Sequence, residues 1–415
     1  MNYPPSTHPA DTAVPGPWTF RLDRGEAGLQ ALWADWQQLV AELPSADHLH
    51  RPEWAAAYAR HLAGDSERLV WASVRRRADG RLMAVLPIEQ TGPRQLRLLT
   101  NEHLYLADVI SHVAPAALWP AFWHWLQHDA GLSWTRLDVG RLRAGGWLAE
   151  ALRQCAPRHD FHSVIGGSAW LDVDRPYDAL LRGASANHRS SLARGAKKAD
   201  PLGGLRYETH RTAEALAAAL PHFLDVEASG WKGEQGGAVA CRPEWLAFYR
   251  ELTERLAERP AEQDRQPAGC EIDLLWLGER PVATIFWLRT GHTLALQKIA
   301  YREDLASIGP GKLILARALA RACADPDLLR VSFVTRCPWA DGWRTEVTPV
   351  TGHLIYAEHL RGHGMALLRR LWQAGKAGLR MVRGAAQALG GRWVGERHPD
   401  GAGGGARAID LPQAP

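Results

Sequence analysis

Residues 293–335 read TLALQKIAYREDLASIGPGKLILARALARACADPDLLRVSFVT. The run 293–302 carries the aromatic and β-branched content of a strand. Gly309-Pro310-Gly311 breaks it, and the Ala- and Leu-rich run 312–324 predicts a helix without an internal breaker. A second short strand is predicted over 329–335. Pro310 sits where a helix tolerates a missing N–H and a fixed φ. Such a turn points main-chain N–H groups outward at the positive end of the helix dipole, which suits a phosphate.

Outward from this stretch, the elements recur. The tetrapeptide Arg-Pro-Glu-Trp occurs at 51–54 and at 242–245, in RPEWAAAYARHL and RPEWLAFYRELT. Each opens a predicted helix and precedes a hairpin with a charged turn, at 78–80 and at 278–280. Two copies at matching places argue for a duplicated unit. The sequence therefore predicts an α/β fold of two tandem units, 17–175 and 176–358, each a mixed sheet flanked by helices. The proline-rich 1–16 is expected to be a disordered leader, 359–394 a basic amphipathic helical segment, and 395–415 a flexible tail. The first unit has no counterpart of the Gly309–Gly311 turn, since Gln95–Asn101 contains no glycine.

Composition narrows the class. A chain of 415 residues with 46% hydrophobic and 23% charged residues can bury two ordinary cores. A net charge of +4 is compatible with anionic small molecules and is too weak to argue for nucleic acid. The five cysteines are scattered, without CxxC spacing, which disfavours disulfides and zinc and makes a reducing cytoplasm the expected setting. No stretch is long and apolar enough to span a bilayer. His124/His128 and His359/His363 stand at i, i+4 without further ligands, so no metal is expected.

Three marks stand in order along the second unit: Glu227-Ala228-Ser229-Gly230-Trp231-Lys232-Gly233-Glu234-Gln235-Gly236, then Lys298-Ile299-Ala300-Tyr301, then Gly309-Pro310-Gly311. They resemble the sequence marks of the CelD-like GNAT acetyltransferases, a group related to the FemAB-like peptidyltransferases. The resemblance covers about residues 185–335. It implies an acyl-CoA-dependent N-acyltransferase, with acetyl-CoA or another acyl-CoA as co-substrate and a small-molecule amine, such as a sugar or a cell-envelope precursor, as acceptor. Related loops begin with Gln or Arg, where this chain has Ala306, and Pro310 removes one N–H.

On this reading Ile308, Gly309, Gly311, Lys312 and Lys298 bind the cofactor. Glu227 is the general base, and Tyr301 the acid that protonates the leaving thiolate. Trp231 and Lys232 line the acceptor pocket, and Arg189 and Arg194, on a basic helix predicted over 177–198, steer an anionic acceptor or the 3′-phosphate. An alternative pairs Glu227 with Lys232 as a surface salt bridge. A second enzymatic reading is FemAB-like transfer of an aminoacyl group from tRNA, and a third is a binding module without catalysis. The stretch 363–389 alternates leucines with Arg369, Arg370, Lys376, Arg380 and Arg383, a pattern suited to peripheral contact with an anionic membrane.

Overall fold

The computed structural model describes residues 16–101, 103–257 and 268–392, with the side chains of Lys232, Ala268 and 377–392 outside that description. The expected leader and tail therefore lie outside the described residues, save Gly16.

The first half runs β1 (Trp18–Arg24), α1 (Gly25–Glu42), α2 (Pro52–His61), β2 (Leu69–Arg76), β3 (Leu82–Gly92), β4 (Gln95–Leu98), β5 (Ile110–Ser111), α3 (Pro115–His128), β6 (Arg136–Arg143), α4 (Trp147–Gln154) and β7 (Asp160–Asp172). The second runs α5 (Tyr177–Gly183), α6 (Ala186–Ala199), β8 (Leu205–His210), α7 (Ala213–Ala228), α8 (Trp231–Glu234), α9 (Pro243–Arg255), β9 (Ala268–Leu277), β10 (Arg280–Thr290), β11 (Thr293–Tyr301), α10 (Pro310–Ala324), β12 (Arg330–Ser332) and β13 (Glu346–Tyr356). α11 (Leu360–Arg392) follows. The two Arg-Pro-Glu-Trp motifs open α2 and α9, each with proline in the first turn.

All the strands join one mixed sheet in the order β1-β2-β3-β4-β6-β13-β7-β12-β11-β10-β9-β8, with β5 beside β3. The order is the same read inward from either end, except that the two central strands are exchanged. β13 pairs with β6 of the first half, β7 pairs with β12 of the second, and the two pair with each other. The chain therefore does not part at 175/176, and residues up to Gly362 form one compact unit. One apolar cluster is shared by α1, α2, α7 and α9, with Trp54 meeting Phe248 edge-on at 4.9 Å. Glu251 of α9 receives Arg60 and His61 of α2, each at 2.6 Å.

The basic helix predicted over 177–198 is broken. Ala184 ends α5, and Ser185 caps α6 by accepting from the His188 N–H. α6 then lies against the Ile308 carbonyl at Gly195, where a Cβ would collide with the Ile308 oxygen. Gly195→Val should therefore displace the 306–311 turn and cost about 1–3 kcal/mol of stability, read from urea unfolding. α10 is anchored from below by Arg321, which reaches buried Glu271 at 2.6 Å and buried Asp273 at 3.6 Å on β9.

α11 falls mainly in a separate unit that starts at His363. Leu367, Leu368, Leu371 and Trp372 are exposed on it, and the Lys376 ammonium sits 3.8 Å over the Trp372 ring. Among the described residues no helix is long and apolar enough to cross a membrane.

Candidate active site

The two halves differ where their central parallel pairs diverge. β11 pairs with β12 only at Thr293, Leu294 and Ala295, then continues to Tyr301 along β10 alone. From Leu296 onward, every second N–H of β11 faces a gap on that edge. A bulge at Gln297 re-aims the strand where it leaves β12. Val334, just past β12, holds φ at 61°, a costly angle for a β-branched residue. In the first half β4 and β6 diverge in the same way after Arg97/Asp138. There the chain itself closes the opening, because Ala107 bridges to Leu142 beside buried Leu104 and Leu106. The gap in the second half receives no such segment among the described residues.

The head of α10 lies after this gap. Gly309 adopts the left-handed conformation with φ 68°, and its carbonyl accepts from the N–H groups of Lys312 and Leu313 at 3.0 and 3.1 Å. No side chain caps the helix. Pro310 has no N–H, so Gly311 carries the one unbonded amide of the first turn among the described residues. Side chains add positive charge around it. Lys312 Nζ reaches Ser191 Oγ at 3.3 Å and Lys198 Nζ reaches the Ser307 carbonyl at 3.4 Å. Exposed Arg194 shares their face of α6, three residues on from Ser191. Ile308 is buried beneath the turn, and the Tyr301 ring packs against Gly311, 3.0 Å from where a Cβ would stand.

A second polar group lies on the opposite face of β11. Lys298, three residues before Tyr301 on an unbroken stretch of strand, points the other way and pairs with Glu227 at 3.5 Å. Glu227 ends α7 with its carboxylate fully buried, and its other oxygen accepts from the Val239 N–H at 2.7 Å. Lys298 was expected beside the 308–312 turn, but it lies on the other face of β11 from Tyr301 and the head of α10, and Glu227 takes it as its cation. Lys298 Nζ is also 5.7 Å from the centre of the Tyr249 ring. The Tyr249 hydroxyl is in turn 3.2 Å from Nδ1 of His103, a residue of the first half.

Burial, then the neighbouring Lys298, push the His103 imidazole down to about 3. Its folded value lies below its unfolded one near 6.5, so its contribution is full above that value and shrinks as pH falls toward 3. His103→Gln should flatten the acid limb by roughly 1 kcal/mol per pH unit within that window, measured by urea unfolding at several pH values.

Trp231 is exposed, and its main-chain N–H donates to Glu303 Oε1 at 3.4 Å. The Arg189 guanidinium donates to the carbonyls of Arg182 and Ala184, closing the end of α5. Glu227 and Lys298 are thus brought together, Gly309, Gly311, Lys312 and Arg194 form a separate basic corner, and Arg189 serves the backbone. Residue patterns did not single out His103 and Tyr249. The tyrosine shared by the two Arg-Pro-Glu-Trp helices was the available signal, while His103 lies in a loop without a pattern.

The family of acetyltransferase (GNAT) domains matches residues 186–345. Residues 186–345 form a GNAT acyltransferase domain. The match begins at α6 and stops before β13, the strand handed to the other half. Among solved structures, the chain is similar to FemX at 11% identity and a TM-score of 0.52, over 77% of this chain and 95% of that one. It is also similar to the C-terminal domain of a putative lysylphosphatidylglycerol synthetase from Agrobacterium fabrum, at 10% identity and a TM-score of 0.50, over 82% of this chain and 96% of that one. At these identities the likeness is one of fold. No curated protein matches the chain. Within the matched residues the β11/β12 gap stays open, whereas in the first half Ala107 bridges to Leu142 at the corresponding place.

Proposed function

We propose that the GNAT domain transfers an acyl group, acetyl in the simplest case, from coenzyme A to an amine. The observation that carries this reading is the β11/β12 gap with the basic head of α10 after it. The Gly311 N–H, Lys312, Lys198 and Arg194 would meet the phosphates. The pantetheine arm would enter the gap, with the thioester carbonyl against the free N–H groups of β11, which stabilise the oxyanion as the amine attacks. Glu227 would accept the amine proton, and Lys298 would hold its carboxylate in place. Tyr301 packs at the phosphate end beside Gly311, which favours a role in lining the cofactor over protonating the thiolate.

The acceptor would enter from the Glu227 face, beneath α9 and the 103–108 loop. This makes the first half part of the acceptor wall. The exposed leucines and basic residues of α11 suit contact with an anionic bilayer, a setting in which an acceptor carried on a lipid would be met. Acyl-CoAs presented with amino sugars and amino acids, read by release of free thiol, test the reading. Thiol release that depends on an amine supports it. Transfer from aminoacyl-tRNA without any acyl-CoA turnover would favour the FemAB-like alternative instead.

A further inference from the structure

The exchanged strands carry a cluster that acyl transfer does not use. Asp160 and His162 alternate on one face of β7, and His353 of β13 stands directly opposite His162 in the antiparallel ladder. Nδ1 of His353 lies 2.8 Å from Asp160 Oδ2, and Nδ1 of His162 lies 3.4 Å from the same oxygen. The two imidazoles stack, with centres 5.1 Å apart and planes at 26°. Both turn the same nitrogen toward one carboxylate oxygen. It is the one group of three such side chains close enough to hold a metal among the described residues.

We propose that Asp160, His162 and His353 form a site for a divalent transition-metal ion of zinc-like chemistry, binding across the β7/β13 seam. First, ligands about 2.0–2.1 Å from a tetrahedral ion stand roughly 3.3 Å from one another, and the 2.8 and 3.4 Å separations bracket that edge. Second, two imidazoles and one carboxylate match zinc, cobalt, nickel or copper and not calcium or magnesium, which prefer all-oxygen shells. Third, the support is graded. The Asp160 and His353 side chains are 5% and 9% exposed, while His162 is 62% exposed, so two ligands are fixed in the sheet and the third sits at the rim. The ion can enter from solvent and keep a position open to water. Thr351 Oγ1, 3.1 Å from His353 Nε2, orients that ring from behind.

With each ring proton on Nε2, which for His353 faces Thr351 Oγ1, both Nδ1 lone pairs face the Asp160 carboxylate, and a cation between them satisfies all three groups. β7 belongs to the first half in sequence and β13 to the second, so the ion would tie the halves at their exchanged strands. An ion that binds the folded chain alone stabilises it by mass action.

Titration of the metal-free full-length protein with Co2+, followed by visible absorption, and with Zn2+, followed by calorimetry and thermal unfolding, tests the proposal. The expected result is one saturable equivalent, a tetrahedral cobalt spectrum, and a rise in melting temperature with Zn2+. All three should vanish in His162→Ala, whose exposed side chain can be removed without disturbing the sheet, and persist in His124→Ala. The His124/His128 pair, with ring centres 4.7 Å apart, is the rival site. Absence of saturable binding by the wild type, full binding by His162→Ala, or loss of binding in His124→Ala would each overturn the assignment.

Discussion

Replacing Glu227 with Gln should lower turnover by about 10²-fold or more and leave acyl-CoA binding unchanged in calorimetry. In the proposed mechanism the substitution acts on the chemical step, and Gln can still accept from the Val239 N–H that holds residue 227. The basic corner proposed for the cofactor lies on the other face of β11, so its contacts survive. The variant also leaves the Lys298 ammonium, only 16% exposed, without its carboxylate. A stability loss is therefore expected beside the kinetic one, and the turnover assay belongs at a temperature where unfolding curves show the variant fully folded. Turnover equal to wild type in folded Glu227→Gln would remove Glu227 from the mechanism and leave its pairing with Lys298 as purely structural.

Arg321→Met should produce the largest loss of stability, about 3–5 kcal/mol at neutral pH. Arg321 is the chief cation for Glu271 and Asp273, which are 2% and 0% exposed. Asp273 has other partners, Trp287 Nε1 at 2.6 Å and the Thr209 hydroxyl at 2.7 Å, whereas Glu271 keeps, among the described residues, Arg211 at 3.2 Å and the more distant charge of Arg289. Burial raises the Glu271 carboxyl above its ordinary value even with Arg321 present. Its folded value exceeds the unfolded one, so the folded state holds the proton more tightly and protonation relieves the buried charge as pH falls. The deficit of Arg321→Met should accordingly be smaller at pH 5 than at pH 7 in paired urea titrations. A deficit independent of pH would mean that lost packing, not an uncompensated carboxylate, is the cause. Because Arg321 anchors α10, the same variant should also weaken cofactor binding at the head of that helix.

Much of the fold was legible because local chemistry agreed with it. The Arg-Pro-Glu-Trp starts, the charged hairpin turns and the Gly309 break each correspond to an observed element. What was illegible depends on pairing at long range. β7 starts at Asp160 and runs through Gly166-Gly167, a pair that looks like a break in the sequence. Gly167 is there because Val347 of the neighbouring strand fills the space a Cβ would need. β13 contains Pro349, which argues against a central strand, but the ladder shifts register beside it, between Val350 and Thr351. Nothing local announces that two strands exchange partners. The cluster of Asp160, His162 and His353 escaped for the same reason, because it exists only through that exchange.

The site shows the same division. The turn and its glycines were readable from residue type, and Glu227 was singled out because a carboxylate at a helix C-terminus gains nothing from the dipole. Its partner was not readable: Lys232, five residues away, was the candidate in sequence, and Lys298, 71 residues away, is the partner in space. Arg189 looked like part of a basic surface, but the break at Ala184 gives it carbonyls to bind.

Titration of acetyl-CoA into the wild type and into Lys312→Glu by calorimetry tests the central claim most directly, since Lys312 is exposed and its replacement spares the core. The account predicts one site per chain, weakened about tenfold or more by the reversed charge. Absence of binding by the wild type, or equal affinity in the two proteins, would contradict it.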